Sequence, residues 1–301
     1  MSAVYDLIVI GEGIAGLSCA AHAASLGLRT ATTEGNLFGG LVINVAELEG
    51  YEGSGSGVDL ASSLMEANAN AGVENLGAAV NAIETAGNVI KVRTDGGEHT
   101  ARAVVIASGA RMNKLDVPGE EAFDHRGVSQ CADCDGPMFQ GEHVVVVGGG
   151  DSAFQEAAAL AQYVDRVTIL VRGLQPRARA SLVERVQGLA NVSVTPGTSV
   201  TEIHGGDTVT GIAIRAADGS QQRMDCAGVF VFVGLTPNSE FVPAAVRRNA
   251  KGEIETDASY QTAVRGLYAV GAVRAGYSGR LEDAVKEAQA AAETATRVLN
   301  G

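Results

Sequence analysis

Tryptophan is absent from this chain of 301 residues, prolines number only 6, and aromatic residues make up 4%. No run of about 18 apolar residues occurs, so we expect no membrane-spanning helix. The first residues lack a basic stretch ahead of an apolar core, so we expect no secretory signal peptide. A hydrophobic share of 46% together with so little proline excludes a disordered or proline-rich linker protein.

Positive charge is also scarce. Lysine and arginine together number 22 against 35 acidic residues, which gives a net charge of −13. Such a charge repels phosphate backbones and anionic lipid surfaces at long range, so we predict neither nucleic acid nor a membrane as a partner. Small anionic ligands remain possible, because backbone amides at a helix start bind them locally.

Only 4 cysteines are present, which is too few for a framework of structural disulfides. Their placement favours a reducing compartment, and we predict a cytoplasmic protein. Cys19 and Cys226 lie within apolar patterns and are expected to be small core residues. Cys131 and Cys134 form a single C-x-x-C motif.

Glycine, by contrast, is abundant, with 39 residues, and it first clusters after an apolar strand at residues 7–10. Gly11 permits a tight turn, Gly13 lets the backbone approach a pyrophosphate, and Gly16 lets the following helix pack closely. The next strand ends at Glu34, whose carboxylate is suited to ribose hydroxyls. This order is the dinucleotide-binding fingerprint, and Ile14 and Ala15 complete its binding segment. Glu12 receives no role, because its side chain could point to solvent.

A second copy of the same pattern follows the apolar strand at residues 143–147. Its glycine turn leads into a helix predicted from residue 154, and its second strand is followed by arginines rather than an acid. Arginine at that place suits the 2′-phosphate of NADP. The predicted binding residues are Gly148, Gly150, Asp151, Ser152, Ala153, Arg172 and Arg177. Alternatively, Asp151 and Ser152 only cap the helix, and Arg179 is a solvated charge.

Between the two copies, an apolar strand runs into Ala107, Ser108 and Gly109, small residues that let backbone lie close to a bound cofactor. The whole pattern predicts an α/β fold with two Rossmann-like, three-layer nucleotide-binding domains, the second inserted into the first. We predict a discontinuous first domain over residues 1–113 and 242–301. The second domain is predicted over residues 114–241 and carries the C-x-x-C motif.

The pair Cys131 and Cys134 has the spacing of a redox-active disulfide at a helix start, where thiolate is stabilised. Asp135 is adjacent and is suited to exchange the proton that thiol chemistry requires. A zinc site would need a second C-x-x-C or paired histidines, which the sequence does not offer, so no metal is predicted. Two ordinary core cysteines are the remaining alternative.

Taken in order, these motifs resemble the low-molecular-weight thioredoxin reductases, a family of pyridine nucleotide-disulfide oxidoreductases. The resemblance implies FAD in the first domain, NADPH in the second, a homodimer, and thioredoxin or a thioredoxin-like protein as partner. It adds Gly39, Gly40, Gly271 and Ala272 to the FAD residues. It also implies that Cys134 faces the flavin, that Cys131 attacks the partner's disulfide and that Asp135 is the acid/base.

The sequence departs from the family where polar flavin contacts are usual. Leu41, Ala272 and Leu281 are apolar, and the usual arginine cluster for the 2′-phosphate is reduced around Arg172. Each lost hydrogen bond weakens binding by about 1 kcal/mol. Two alternatives to a disulfide reductase therefore stay open. One is a dithiol oxidase that passes electrons to oxygen, and the other is a catalytically poor protein with weak FAD binding and a different partner.

Overall fold

The computed structural model describes residues 4–45, 48 and 55–301. The chain forms two compact units, one made of Met1–Arg111 with Thr236–Gly301 and the other of Met112–Leu235. Each unit has an open, largely parallel β-sheet with helices packed on it. The predicted α/β fold with two Rossmann-like domains, one inserted into the other, is confirmed.

The described residues form helices α1 (Ile14–Ser25), α2 (Gly57–Asn70), α3 (Ala132–Asp135), α4 (Asp151–Leu160), α5 (Ala180–Gln187) and α6 (Leu281–Asn300). The strands of the first unit and its borders are β1 (Tyr5–Ile10), β2 (Thr30–Thr33), β3 (Glu74–Asn75), β4 (Val80–Ala86), β5 (Val89–Thr94), β6 (Gly97–Ile106), β7 (Ala110–Met112), β16 (Leu235–Pro237) and β17 (Leu267–Ala269). The strands of the inserted unit are β8 (Val128–Ser129), β9 (His143–Val147), β10 (Arg166–Val171), β11 (Val192–Pro196), β12 (Thr198–Gly205), β13 (Val209–Ala216), β14 (Gln221–Asp225) and β15 (Gly228–Val231).

The sheet of the first unit has β1 between β2 and β6, in the order β3-β2-β1-β6, with all these pairs parallel. β5 and β4 continue it as an antiparallel meander, and β17 pairs with the last residues of β6. β1 is almost wholly apolar because both of its faces are covered. α6 packs its buried alanines against α1 on one face. Because β1, β6 and β17 run parallel to one another, their carboxyl ends lie at the same edge of the sheet.

The sheet of the inserted unit has the parallel order β11-β10-β9-β15-β8. Its core lies between this sheet and α4 and α5, around the fully buried Phe154, Ile169 and Phe230. β12, β13 and β14 form a separate antiparallel sheet. Within the described ranges, no helix is long and apolar enough to cross a membrane.

Candidate active site

The first glycine turn lies between β1 and α1, and two of its glycines are required by their contacts. A Cβ placed on Gly11 would lie 2.4 Å from the carbonyl oxygen of Ala107, and Gly11 has φ +101°. A Cβ on Gly16 would lie 1.9 Å from the carbonyl oxygen of Gly11. Close packing of α1 on the strand ends therefore depends on these glycines, and it brings Ala107 against the turn.

At Gly13, by contrast, no close contact with the described residues requires a glycine. Its φ is −72°, and a Cβ there would approach no atom closer than the Gly39 carbonyl oxygen at 3.9 Å. Gly13 forms an isolated bridge with Gly39, and Gly40 lies alongside. This open backbone at the start of α1 fits a pyrophosphate. The turn therefore has the form that an FAD fingerprint requires.

The other predicted FAD residues lie around this turn. A Cβ on Gly271 would lie 2.9 Å from the Cβ of Ala15, so the segment with Ala272 passes the first turn of α1, which Ile14 begins. Ser108 and Gly109 have backbone and side-chain bonds with Asn238. The Ser108 hydroxyl donates to the Asn238 carbonyl at 2.6 Å, and the Asn238 amide group donates back at 3.0 Å.

Glu34 lies at the end of β2, where its Oε2 accepts a hydrogen bond of 3.2 Å from the backbone amide of Glu12. The side chain of Glu12 is buried, with 2% exposure, and does not point to solvent. It accepts hydrogen bonds from Thr32 at 2.6 Å and from Asn75 at 2.8 Å. Burial, with a contribution from the charge of Glu34, raises the pKa of Glu12.

The second glycine turn opens onto a cavity of about 830 Å³ that lies wholly within the inserted unit. Of the predicted NADPH residues, it is lined by Gly148, Gly150, Asp151, Ser152, Arg172 and Arg177. Ala153 is buried beside the turn instead, and a Cβ on Gly148 would meet its methyl group at 2.8 Å. Lys114, which the sequence analysis did not identify, lines the same cavity.

Lys114, Arg172 and Arg177 give this cavity three positive charges. No ion-pair partner for any of them is found among the residues that the structure describes. Arg177 is held through its backbone amide, which donates to the Gly149 carbonyl at 2.6 Å. Unpaired cations beside a glycine turn suit the phosphates of NADPH.

Asp151 is the first residue of α4 and does not cap it, because Gly150 is the N-cap and no side chain makes a capping bond. Its carboxylate instead accepts a 2.8 Å bond from the Arg179 amide and pairs with Arg179 Nε at 2.6 Å. The capping alternative for Asp151 is wrong. Arg179 is a largely exposed surface charge, as its alternative has it, and is paired with Asp151. Pairing with Arg179 reduces the negative charge that Asp151 brings near a phosphate site. The side chain of Ser152 is exposed.

Cys131 and Cys134 form a disulfide bond across the single turn of α3. Cys131 is buried, at 8% exposure, whereas Cys134 is exposed. The backbone amide of Cys134 donates to Cys131 Sγ at 3.2 Å, and that of Asp135 to the Cys131 carbonyl at 3.3 Å. A helix of one turn has little macrodipole, so these local amides are what would stabilise a thiolate here.

The two other cysteines are confirmed as core residues. Cys19 and Cys226 are both buried free thiols, and burial raises the pKa of each to about 12. Thiols with such a pKa react poorly at neutral pH. In the part of the chain that the structure describes, no group of three or more histidine, cysteine or acidic side chains is arranged to hold a metal ion.

Two nucleotide turns and a reactive disulfide define a class of flavin- and nicotinamide-dependent disulfide enzymes. The chain belongs to the pyridine nucleotide-disulphide oxidoreductase family, whose model matches residues 5–295. It is 34% identical to a thioredoxin reductase of Treponema pallidum over 304 residues, which cover 100% of this chain and 99% of that protein. It is 36% identical to a thioredoxin reductase of Mycolicibacterium smegmatis over 273 residues, or 89% and 88% of the two chains.

Solved structures agree with these relatives. The crystal structure of Lactococcus lactis thioredoxin reductase superposes with a TM-score of 0.94 at 33% identity, covering 98% of this chain and 99% of that one. The predicted resemblance is therefore confirmed. The protein is a thioredoxin reductase-like, FAD-dependent oxidoreductase and a disulfide reductase of the NADPH/FAD type, with FAD and NADPH as its cofactors.

Proposed function

We propose that this protein is a cytoplasmic, homodimeric enzyme that reduces thioredoxin or a thioredoxin-like protein. Electrons pass from NADPH to FAD, then to the Cys131–Cys134 disulfide and finally to the partner's disulfide. The observation that carries this proposal is a disulfide whose turn includes one exposed cysteine and an adjacent acid, Asp135. Its relatives are called thioredoxin reductases, which supports the choice of partner.

FAD would be held by the first glycine turn, with its pyrophosphate against Gly13 and its ribose at Glu34. Gly39, Gly40 and Gly271 would supply backbone beside it. When bound, FAD supplies the exchange of two electrons between a nicotinamide and a disulfide. The protein's own contribution is to bind and orient it, and three usual polar contacts are missing at Leu41, Ala272 and Leu281.

NADPH would be held in the cavity of the inserted unit. The turn from Gly148 to Gly150 would bind its pyrophosphate, and Arg172 and Arg177 its 2′-phosphate. Lys114 lies on the same cavity and adds a third cation. Arginine is suited to phosphate because its planar group donates two parallel hydrogen bonds.

The chemistry at the cysteines needs two electrons and balanced protons. Two electrons break the S–S bond; Cys131 leaves as a thiolate and Cys134 takes a proton from Asp135. Thiolate Cys131 then attacks the partner's disulfide and releases one partner sulfur. Asp135 takes the proton back from Cys134, whose thiolate attacks Cys131, restores the S–S bond and releases the second partner sulfur, and the two released sulfurs take two protons from solvent. Because Cys131 is buried in the disulfide form, its sulfur must become exposed once the bond opens.

The test is anaerobic turnover of NADPH by the purified flavoprotein with thioredoxin as acceptor. We expect C131S and C134S each to lose more than about a hundredfold in rate, as loss of a covalent nucleophile does. C19S and C226S are matched controls and should retain turnover, because both thiols are buried and inert.

A trapping experiment tests the two cysteine roles. The probe is a thioredoxin that lacks its second cysteine and whose remaining cysteine is joined to thionitrobenzoate in a mixed disulfide. Cys131 of C134S should attack that cysteine, release thionitrobenzoate and leave a stable disulfide between the two proteins, and C131S should not. The reverse result would exchange the two roles. Oxygen-dependent oxidation of dithiols without NADPH, and no reduction of any thioredoxin, would contradict the proposed function and favour a dithiol oxidase.

A further inference from the structure

Glu156 lies on α4, six residues after the glycine turn that borders the nucleotide cavity, yet its carboxylate reaches the redox turn. Its Oε2 accepts a hydrogen bond of 3.0 Å from the backbone amide of Ala132. Ala132 is fully buried and is the first residue of α3, directly after Cys131. The first amides of a helix have no partner within that helix. Glu156 therefore supplies the acceptor that fixes the start of the redox turn.

The redox turn is also held tightly against α4 and the residues that follow it. A Cβ placed on Gly136 would lie 2.9 Å from the ring of Tyr163 and 3.2 Å from the side chain of Leu160. There is no room for α3 to move closer to α4. The redox turn is therefore packed directly on the helix that carries Glu156.

The charge that acts on Glu156 is the negative charge of Asp133. Burial raises the pKa of Glu156 to about 7. The charge of Asp133 adds to this rise, and the hydrogen bond from Ala132 opposes it. Asp135 is the other acid of α3. α5, β9 and β10 also pack on α4 and carry Glu184, Arg185, His143 and Arg166. Arg166 is engaged with His143 at 3.0 Å.

We propose that Glu156 is a positioning residue of the redox turn: its carboxylate fixes the start of α3 and takes up one proton when the Cys131–Cys134 disulfide is reduced. This inference rests on the proposed redox role of that disulfide. Reduction creates a thiolate one residue from the Ala132 amide that Glu156 binds. Two negative charges so close disfavour each other, so the carboxyl becomes neutral as the thiolate appears.

The balance of this step is complete. The electron donor in the test is dithiothreitol, which gives two electrons and is oxidised to its cyclic disulfide. The protein S–S bond breaks, and each protein sulfur is left as thiol or thiolate according to pH. The additional proton on Glu156 comes from the buffer. Above about pH 7, where the Glu156 carboxyl of the disulfide form is mostly ionised, reduction thus consumes up to one proton more than the cysteines alone require.

The experiment measures the midpoint potential of the disulfide in the full-length flavoprotein at a series of pH values. Mixtures of reduced and oxidised dithiothreitol set the potential, and the mass of alkylated Cys131–Cys134 peptides reports the reduced fraction. The pH dependence gives the number of protons taken up per electron pair. E156Q keeps an oxygen that accepts from Ala132 but has no charge, and E184Q, on an exposed residue of α5, is the matched control.

We expect the wild type and E184Q to take up more protons than E156Q, by up to one proton, in a window above about pH 7, where Glu156 of the disulfide form is mostly ionised. A merely structural role would change stability but leave the proton count alone. Infrared difference spectra of the wild type give a second readout that needs no variant. Reduction should produce the carbonyl band of a protonated carboxyl group.

Equal proton counts in wild type and E156Q, or no such carbonyl band, would overturn this inference. The titration uses neither NADPH nor thioredoxin. A protein that fails to turn over thioredoxin but shows the extra proton would contradict only the proposed function. A protein that turns over but shows no extra proton would contradict only the role of Glu156.

Discussion

The backbone amide of Gly271 donates a hydrogen bond of 2.9 Å to Oε2 of Glu287 on α6. Arg274 also binds this carboxylate, through Nε to Oε2 at 3.2 Å and through its terminal nitrogen to Oε1. Ala272, the residue after this glycine, has an apolar side chain. The carboxylate that binds this segment is therefore supplied by α6.

We predict that R274M lowers the free energy of unfolding by about 3 kcal/mol, because it leaves the carboxylate of Glu287 buried without its cation. The side chains of Arg274 and Glu287 are only 15% and 7% exposed. Urea unfolding of the FAD-free protein measures this. The double variant R274M/E287L should recover most of the loss, and E282Q, at an exposed position of the same helix, should change stability by less than about 0.5 kcal/mol.

Two glycines of the first turn should respond differently to alanine. G16A should destabilise the FAD-free protein, because its Cβ would overlap the Gly11 carbonyl. G13A should leave stability unchanged within about 0.5 kcal/mol yet weaken FAD binding at least about tenfold, since the methyl group would occupy the place of the pyrophosphate. Urea unfolding and titration of FAD fluorescence separate the two effects. Normal FAD affinity in G13A would remove Gly13 from the binding site.

Substitution of Arg172 should weaken the binding of NADPH but not that of NADH. R172M is expected to weaken NADPH binding by about ten- to a hundredfold, the loss of a charge-assisted contact worth about 1.5–3 kcal/mol. NADH binding should change little, because NADH lacks the 2′-phosphate. Equilibrium titration of each nucleotide measures both affinities. R177M should behave similarly, and an equal loss for both nucleotides would show that these cations bind the pyrophosphate instead.

Glu156 also predicts how stability depends on pH. Its pKa is raised from 4.5 to about 7 in the folded protein. Below the unfolded pKa both states hold the proton. As pH rises toward about 7, the unfolded chain releases its proton first, so folding loses stability, by about 2 kcal/mol for a partly exposed group. Urea unfolding of the disulfide form at about pH 5 and pH 8 measures this loss, and E156Q should lack that part of it.

The sequence predicted the elements that combine an apolar run with glycine. β9 was expected over residues 143–147 and is observed there. Its four valines are buried and His143 is half-buried, because the strand lies inside the sheet with a neighbouring strand on each side. α4 was expected from residue 154 but begins at Asp151, because Gly150 is its N-cap and the polar residues Asp151 and Ser152 precede its first buried apolar residues.

The sequence analysis missed Glu12 and Glu156 for one physical reason. Glu12 has hydrogen-bond partners 20 and 63 positions away, and Glu156 binds an amide 24 positions away. Contacts so distant along the chain leave no periodic pattern. Lys114 was missed because a single lysine in a loop has no signature until the fold brings it to the nucleotide cavity.

The nucleotide cavity and the disulfide both belong to Met112–Leu235, whereas the first fingerprint belongs to the other unit. Under the proposed function, the residues that select the electron donor and those that reduce the acceptor thus lie in one continuous stretch of the chain. We expect that exchanging this stretch with that of a relative would change donor and acceptor preferences together and leave the first fingerprint unaltered.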